Sequence, residues 1–256
     1  MTGRHVGMNR DYWNGMADDW VEPGRLAWGS PNVNWGIWRN PETEVQMLPE
    51  DMRGMDAIEL GCGTAYIAAW MARRGAKVTG IDISSGQLAT ARELAAEHKI
   101  DLTLIEGNAE ETGLPDASFD FAISEYGAAI WCDPDLWLRE AWRLLRPGGR
   151  LVFLGNHPLV MACTPWDGAK CEPTLHRPMR DMRTFDWSEV EIDPGGFEFN
   201  LSHADWMKLF AEIGFTIDGY LELYAPPDNT RDLFAISGTW ARDYPSEQVW
   251  KLTKPL

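Results

Sequence analysis

The sequence predicts an α/β fold, a mostly parallel sheet covered by helices on both faces. Between Met55 and Gly155, short apolar or β-branched runs alternate with longer helical patterns. The interruptions fall at glycine, aspartate or a Pro-Gly-Gly turn, the residues that end such elements. Strand and helix in strict alternation require parallel strands joined by crossover helices.

Asp56-Ala57-Ile58-Glu59-Leu60 reads as a buried first strand ending at Gly61. An alanine-rich helix follows over Thr64 to Arg74, with Gly75 as its natural stop. Lys77 to Ile81 is a second strand, closed by Asp82. Ser84 or Ser85 can cap the next helix, which runs to about Lys99 with apolar positions at Leu88, Ala91, Leu94 and Ala95. Leu102–Ile105, Phe119–Ile123 and Leu151–Leu154 are the third, fourth and fifth strands. Before the fifth, Asp133 caps a helix with Pro134 at its first position and arginines in its last turn. Pro147-Gly148-Gly149 stops it.

The flanks decorate this sheet. Residues 1–50 carry Tyr12, Trp13, Trp20, Trp28, Trp35 and Trp38 among Gly, Asn and Pro, and are expected to form a lid. Residues 51–240 form the main domain. Within it, 156–200 is too long for an ordinary connection, and reads as an insertion capping a site. Ser202 and Asp205 cap a helix ending at Gly214. Two late strands are expected near Phe215–Leu223 and Asp232–Gly238, followed by a tail over 241–256.

Composition narrows the partners. The chain has 256 residues, 45% hydrophobic and 24% charged, within the range of globular proteins. Its 23 Lys and Arg against 39 Asp and Glu leave a net charge of −16. Nucleic-acid binding draws most of its affinity from basic side chains on phosphates, so neither nucleic acid nor an anionic membrane is an expected partner. A small neutral or cationic ligand suits this field better. No run approaches the ~20 apolar residues of a membrane span, and no secretory leader is visible at the start. Cys62, Cys132, Cys163 and Cys171 form no CxxC pair and are expected as reduced thiols in a cytoplasmic protein. Monomer and homodimer both fit this reading.

The chemistry concentrates at Glu59-Leu60-Gly61-Cys62-Gly63-Thr64-Ala65, directly after the first strand. Glycines there permit unusual backbone angles and let a ligand lie against bare main chain. In open parallel sheets such a ligand sits at the carboxyl ends of the strands. A dinucleotide fingerprint requires a third small residue where Tyr66 stands, which argues against a nicotinamide-dependent oxidoreductase. Asp82, ending the second strand, suits ribose hydroxyls in either cofactor class.

These residues resemble class I S-adenosylmethionine-dependent methyltransferases. Glu59 to Thr64 looks like the family's first motif, and Gly80-Ile81-Asp82-Ile83-Ser84 with Gln87-Leu88 its second. Glu106-Gly107-Asn108-Ala109-Glu110 with Leu114-Pro115 and Phe119-Asp120, then Leu144 to Leu151, resemble the segments that follow, in order and at family spacing. The resemblance is closest to small-molecule enzymes of the group that includes quinone-biosynthesis C-methyltransferases. It implies a Rossmann-like doubly wound sheet with a late antiparallel strand, and S-adenosyl-L-methionine as cofactor, leaving as S-adenosyl-L-homocysteine.

It also implies roles. Gly61, Cys62 and Gly63 would pass beneath the amino-acid end of the cofactor, with Glu59 fixing that loop or receiving the ammonium. Asp82 would hold the ribose, Ile83 and Gln87 would flank the adenine, and Asn108, Ala109 and Glu110 would meet its edge. Many relatives carry Asp where Asn108 stands. Ser124 and Glu125 would sit beside the sulfonium. Structural alternatives exist for each: a tight turn for the glycines, a helix cap for Asp82, a turn for Asn108.

Methyl transfer needs alignment and a dry site more than an elaborate catalytic set. A base is needed only where the acceptor must lose a proton. His157, after the fifth strand, is the first candidate by its ordinary pKa, against the alternative of a plain loop histidine. Glu125 is the second. Tyr12, Trp13, Trp38 and Trp131 are candidates for acceptor contact, or else core. The chain lacks the [ND]-P-P-[YFW] motif of amine methylases, Cys132 has no preceding proline, and Asp133 with Asp135 reads as capping, not as a metal cluster. The expected activity is methyl transfer to O, N or C of a small organic molecule, with no metal. A cofactor-binding protein without turnover is the alternative.

Overall fold

Seven strands form the central sheet of the computed structural model, which describes residues 3–192 and 194–256. Residues 1–2 of the expected lid and residue 193 of the expected insertion lie outside the described residues. The strands are β1 (Asp56–Leu60), β2 (Lys77–Asp82), β3 (Thr103–Glu106), β4 (Phe119–Glu125), β5 (Leu145–Asn156), β6 (Thr216–Leu223) and β7 (Glu247–Thr253). Their order across the sheet is β6-β7-β5-β4-β1-β2-β3. The pairings among β1 to β5 are parallel, and β7 is antiparallel to both its neighbours. The chain reverses its direction of travel between β1 and β4, so a crevice opens at their carboxyl ends.

The helices are α1 (Arg4–Gly15), α2 (Val21–Gly29), α3 (Glu42–Val45), α4 (Tyr66–Arg73), α5 (Ser85–His98), α6 (Gly127–Trp131), α7 (Pro134–Leu144), α8 (Pro158–Cys163) and α9 (His203–Ile213). Their ends follow the residues that predict them. Ser84 Oγ accepts from Gln87 N–H to start α5, Asp133 accepts from Asp135 N–H to start α7, and Ser202 accepts from Asp205 N–H to start α9. Gly214 closes α9 at φ 108°.

Both sheet faces are covered, so Ala57, Ile58, Glu59 and Leu60 of β1 are all buried whichever face they point to. One face packs Ala57, Phe121, Ile123 and Val152 under α4 and α5. The other packs Ile58, Leu60, Phe153 and Leu252 under α7 and α9, with Trp137, Trp206 and Phe210 fully buried.

Two expectations change. Residues 232–238 form a turn with an isolated Leu233–Ile236 bridge, not a strand. The seventh strand instead falls at Glu247–Thr253, inside the stretch expected as a tail. Its interior place in the sheet buries Val249, Trp250 and Leu252, apolar positions interleaved with charged ones that mask the strand pattern. The expected insertion holds α8 and a hairpin of Thr184–Asp186 with Phe197–Phe199. All four cysteines are free thiols. Among the described residues no helix is long and apolar enough to cross a membrane.

Candidate active site

The loop after β1 is shaped by three left-handed residues, Gly61 (φ 74°), Gly63 (φ 50°) and Ala65 (φ 60°). Gly61 and Cys62 N–H both donate to Ile81 O at 2.9 Å, fastening the loop to the end of β2. The two glycines differ in purpose. A Cβ on Gly61 would stand 2.6 Å from Gly127 Cα and Ala128 N, so its bareness serves backbone packing. A Cβ on Gly63 would meet only Gln87 Oε1 at 3.8 Å, so its bareness leaves room in the cavity it lines.

That cavity measures about 300 Å³ and lies over the crevice between β1 and β4. Glu59, Gly61, Cys62, Gly63, Asp82, Ile83, Gln87, Asn108, Ala109, Glu110 and Glu125 all line it. Asp82 turns Oδ2 to Gly63 N–H (2.7 Å) and Oδ1 to Ser84 N–H (2.8 Å). The carboxylate keeps lone-pair capacity beyond these donors, which suits the hydroxyls of a diol. Burial raises its pKa, and those N–H donors pull it back. Glu59 is buried and accepts from Ala68 N–H (2.8 Å) at the start of α4; desolvation holds its pKa well above the usual carboxylate range.

Glu125, at the end of β4, accepts from Gly36 N–H (2.6 Å) and from the Tyr66 hydroxyl. Burial again raises its pKa against those two donors. Glu110 accepts from Asp133 N–H (2.7 Å) and meets His5 Nε2 at 2.6 Å, joining α1 to the third-strand loop. Asn108 Oδ1 accepts from Glu110 N–H, so it shapes its own turn while facing the cavity.

Aromatic residues close the outer side. Trp13 and Trp131 line the cavity edge-to-face, ring centres 5.2 Å apart. Trp20 and Phe234 stack nearly parallel at its rim. Tyr12 packs against Trp13 and Trp131 but lies outside the wall.

Three other expected residues also stand outside it. Ser124 Oγ donates to Leu60 O and accepts from Ala129 N–H, tying β4 to β1 and α6. Trp38 is core, its Nε1 donating to Ser246 Oγ at 2.7 Å. His157 is buried and caps α8, its Nδ1 accepting from Leu159 N–H. Burial, and then the neighbouring His203, lower its pKa to about 4, against the pull of Glu222. A histidine held neutral with one ring nitrogen committed to a cap, away from the wall, is a structural residue.

The sequence reading missed His5, Val6, Asn9, Ile37, Tyr66, Tyr126, Asn156, Glu198 and Ile236 in the wall. Most come from loops and from α1, where no motif marks them. Asn9 stands beside Arg10 and Asp11 in a polar helix and carries no signal in the sequence, yet it is buried and bonds Trp131 O, Phe197 O and Phe197 N–H. Among the described residues no cluster of His, Cys, Asp and Glu could hold a metal.

Residues 58–153 match the family model described as a methyltransferase domain. The chain is 37% identical over 128 residues to a malonyl-[acyl-carrier protein] O-methyltransferase of Serratia marcescens, covering 50% of this chain and 48% of that one. It is 36% identical over 121 residues to a demethylmenaquinone methyltransferase of Listeria monocytogenes, covering 46% and 50%. The chain thus spans about half the length of the curated relatives it matches. An S-adenosylmethionine dependent methyltransferase from Mesorhizobium loti superposes with a TM-score of 0.65 at 25% identity, covering 82% of this chain and 94% of that one. Residues 58–153 thus match a methyltransferase domain, and the strand order and glycine loop around them are similar to those of class I S-adenosylmethionine-dependent methyltransferases, whose cofactor is S-adenosyl-L-methionine.

Proposed function

We propose that the protein transfers a methyl group from S-adenosyl-L-methionine to O, N or C of a small organic molecule. The observation that carries this is one shared cavity wall: cofactor-type groups at the ends of β1, β2 and β3 line the same cavity as the aromatic pair Trp13 and Trp131. Gly63 leaves the space, and Asp82 and Glu59 present carboxylates to ribose and ammonium. Gln87 with Ile83, and Asn108 with Ala109, flank the position of the base. The cofactor brings an activated methyl on sulfur; the chain's residues hold, orient and dry the reacting pair. Glu125 faces the cavity with both oxygens engaged, which suits holding positive charge near the reaction centre.

The relatives named for malonyl-[acyl-carrier protein] and demethylmenaquinone support a small acceptor moiety, and the acidic wall supports a neutral or cationic one. Calorimetry with S-adenosyl-L-homocysteine tests the site: Asp82→Ala weakens binding roughly tenfold or more, as expected when a charged hydrogen-bonding group is removed. Unchanged affinity in a folded variant overturns the assignment.

A further inference from the structure

Five carboxylates line the cavity, and one differs from the rest. Glu59, Asp82, Glu110 and Glu125 each accept a backbone N–H. Glu198 is held by side chains alone, the Asn156 amide (3.4 Å) and the Trp187 indole. The other four are set by main-chain donors; Glu198, held by two side chains and carried on the hairpin that packs on Trp131, is the one placed by the acceptor-side segments.

Its placement is built. Glu198 is the middle residue of Phe197–Phe199, paired with Phe185 across the hairpin. Alternation along a strand sends its neighbours to the opposite face, where Phe197 and Phe199 pack on His5. Asn9 clamps Phe197 by both its N–H and its carbonyl. Gly196 lets the hairpin approach Trp131, whose ring would stand 2.8 Å from a Cβ there. Asn156 is fixed in turn, its carbonyl accepting from Asn200 and Gln248. Among the described residues no Lys or Arg lines the cavity, so an anionic acceptor finds no counter-charge.

We propose that Glu198 is a catalytic residue that receives the proton of the acceptor, and that the acceptor is an uncharged ring compound carrying its nucleophile as a hydroxyl, seated against the packed pair Trp13 and Trp131 where it lines the cavity. This rests on the methyltransferase reading above. The acceptor oxygen forms the new bond to the methyl carbon as the carbon–sulfur bond breaks, its electron pair staying on sulfur. The hydroxyl proton passes to the Glu198 carboxylate, and sulfonium plus carboxylate become thioether plus carboxylic acid. Burial raises the Glu198 pKa to about 7, which suits a group that must gain and release a proton near neutrality.

The test uses 2-naphthol, 2-methoxynaphthalene and 2-naphthoate as probes, titrated into protein saturated with S-adenosyl-L-homocysteine, with tryptophan fluorescence and calorimetry as readouts. The expected order is naphthol tightest and each of the others roughly tenfold weaker, the worth of one charge-assisted hydrogen bond. Glu198→Gln removes most of naphthol's advantage while homocysteine-cofactor affinity stays as in the parent; Glu198→Asp, which keeps the charge, restores part of it. Failure of S-adenosyl-L-homocysteine itself to bind overturns the methyltransferase reading. Normal binding of that product with naphthol and its ether held alike, with naphthoate preferred, or with Glu198→Gln keeping the full advantage, overturns the role of Glu198.

Discussion

The Tyr66 hydroxyl donates to Glu125 Oε2, tying the first residue of α4 to the last residue of β4 across the cavity floor. Tyr66 is the side chain that breaks a dinucleotide fingerprint, and its bulk is used here to hold an acid. Glu125 in turn takes Gly36 N–H, so one carboxylate joins the glycine loop's helix, the fourth strand and the N-terminal segment. The desolvated Tyr66 phenol sits well above its ordinary pKa beside that acid and stays a donor at every working pH.

Tyr66→Phe deletes this donor and leaves Glu125 buried with Gly36 N–H. A hydrogen bond to a charged group contributes about 1.5–3 kcal/mol, so the variant is expected to melt lower and to bind S-adenosyl-L-homocysteine roughly tenfold less tightly. Calorimetry beside a thermal melt checks both. Parent-like values in both measurements refute the tie.

Gly61 and Gly63 look equivalent in the motif and are not equivalent in the fold. Gly61→Ala drives a Cβ to 2.6 Å from two backbone atoms at φ 74°, so it is expected to unfold the β1–α6 junction and abolish soluble expression or lower the melting point steeply. Gly63→Ala, at φ 50° with open space, is expected to fold at a cost of about 1 kcal/mol while losing most cofactor affinity. Paired melts and calorimetry separate the two; equal destabilisation by both variants contradicts the division.

The same contrast says what the sequence could reveal. The β1–β5 alternation, the caps at Ser84, Asp133 and Ser202, and the carboxylate ending β2 are local, each set by a few neighbouring residues, and each is where the pattern puts it. Far ends of the wall are set by tertiary contact. His157 follows β5 at the functional end of the sheet, yet its ring turns into a helix cap instead of the cavity. Glu198 sits in an irregular stretch where nothing in the pattern marks it, and tertiary contacts bring it to the wall, among them the clamp from Asn9, nearly two hundred residues away in sequence. The seventh strand was hidden because Glu247, Gln248 and Lys251 interrupt its apolar run, and two of those three polar side chains are buried.

Glu247 gives the last expectation. It is fully buried against Gly36, its Oε1 accepts from the Tyr126 hydroxyl and from Ile37 N–H (2.9 Å), and its Oε2 has no hydrogen-bond partner. Burial raises its pKa to about 8, with Glu125 pushing the same way and those donors opposing. A carboxyl whose pKa is higher folded than unfolded binds more protons in the folded state between the two values, so stability falls as pH rises from about 4.5 to about 8. Glu247→Gln removes the titrating group and keeps an acceptor for Tyr126. The difference in melting temperature between parent and variant is therefore expected to shift in the variant's favour across that interval and to level off above it. Melts at half-unit steps of pH measure the difference directly. Parallel curves would mean that Glu247 keeps its charge throughout, and that the N-terminal segment is held to the sheet by an ionised carboxylate.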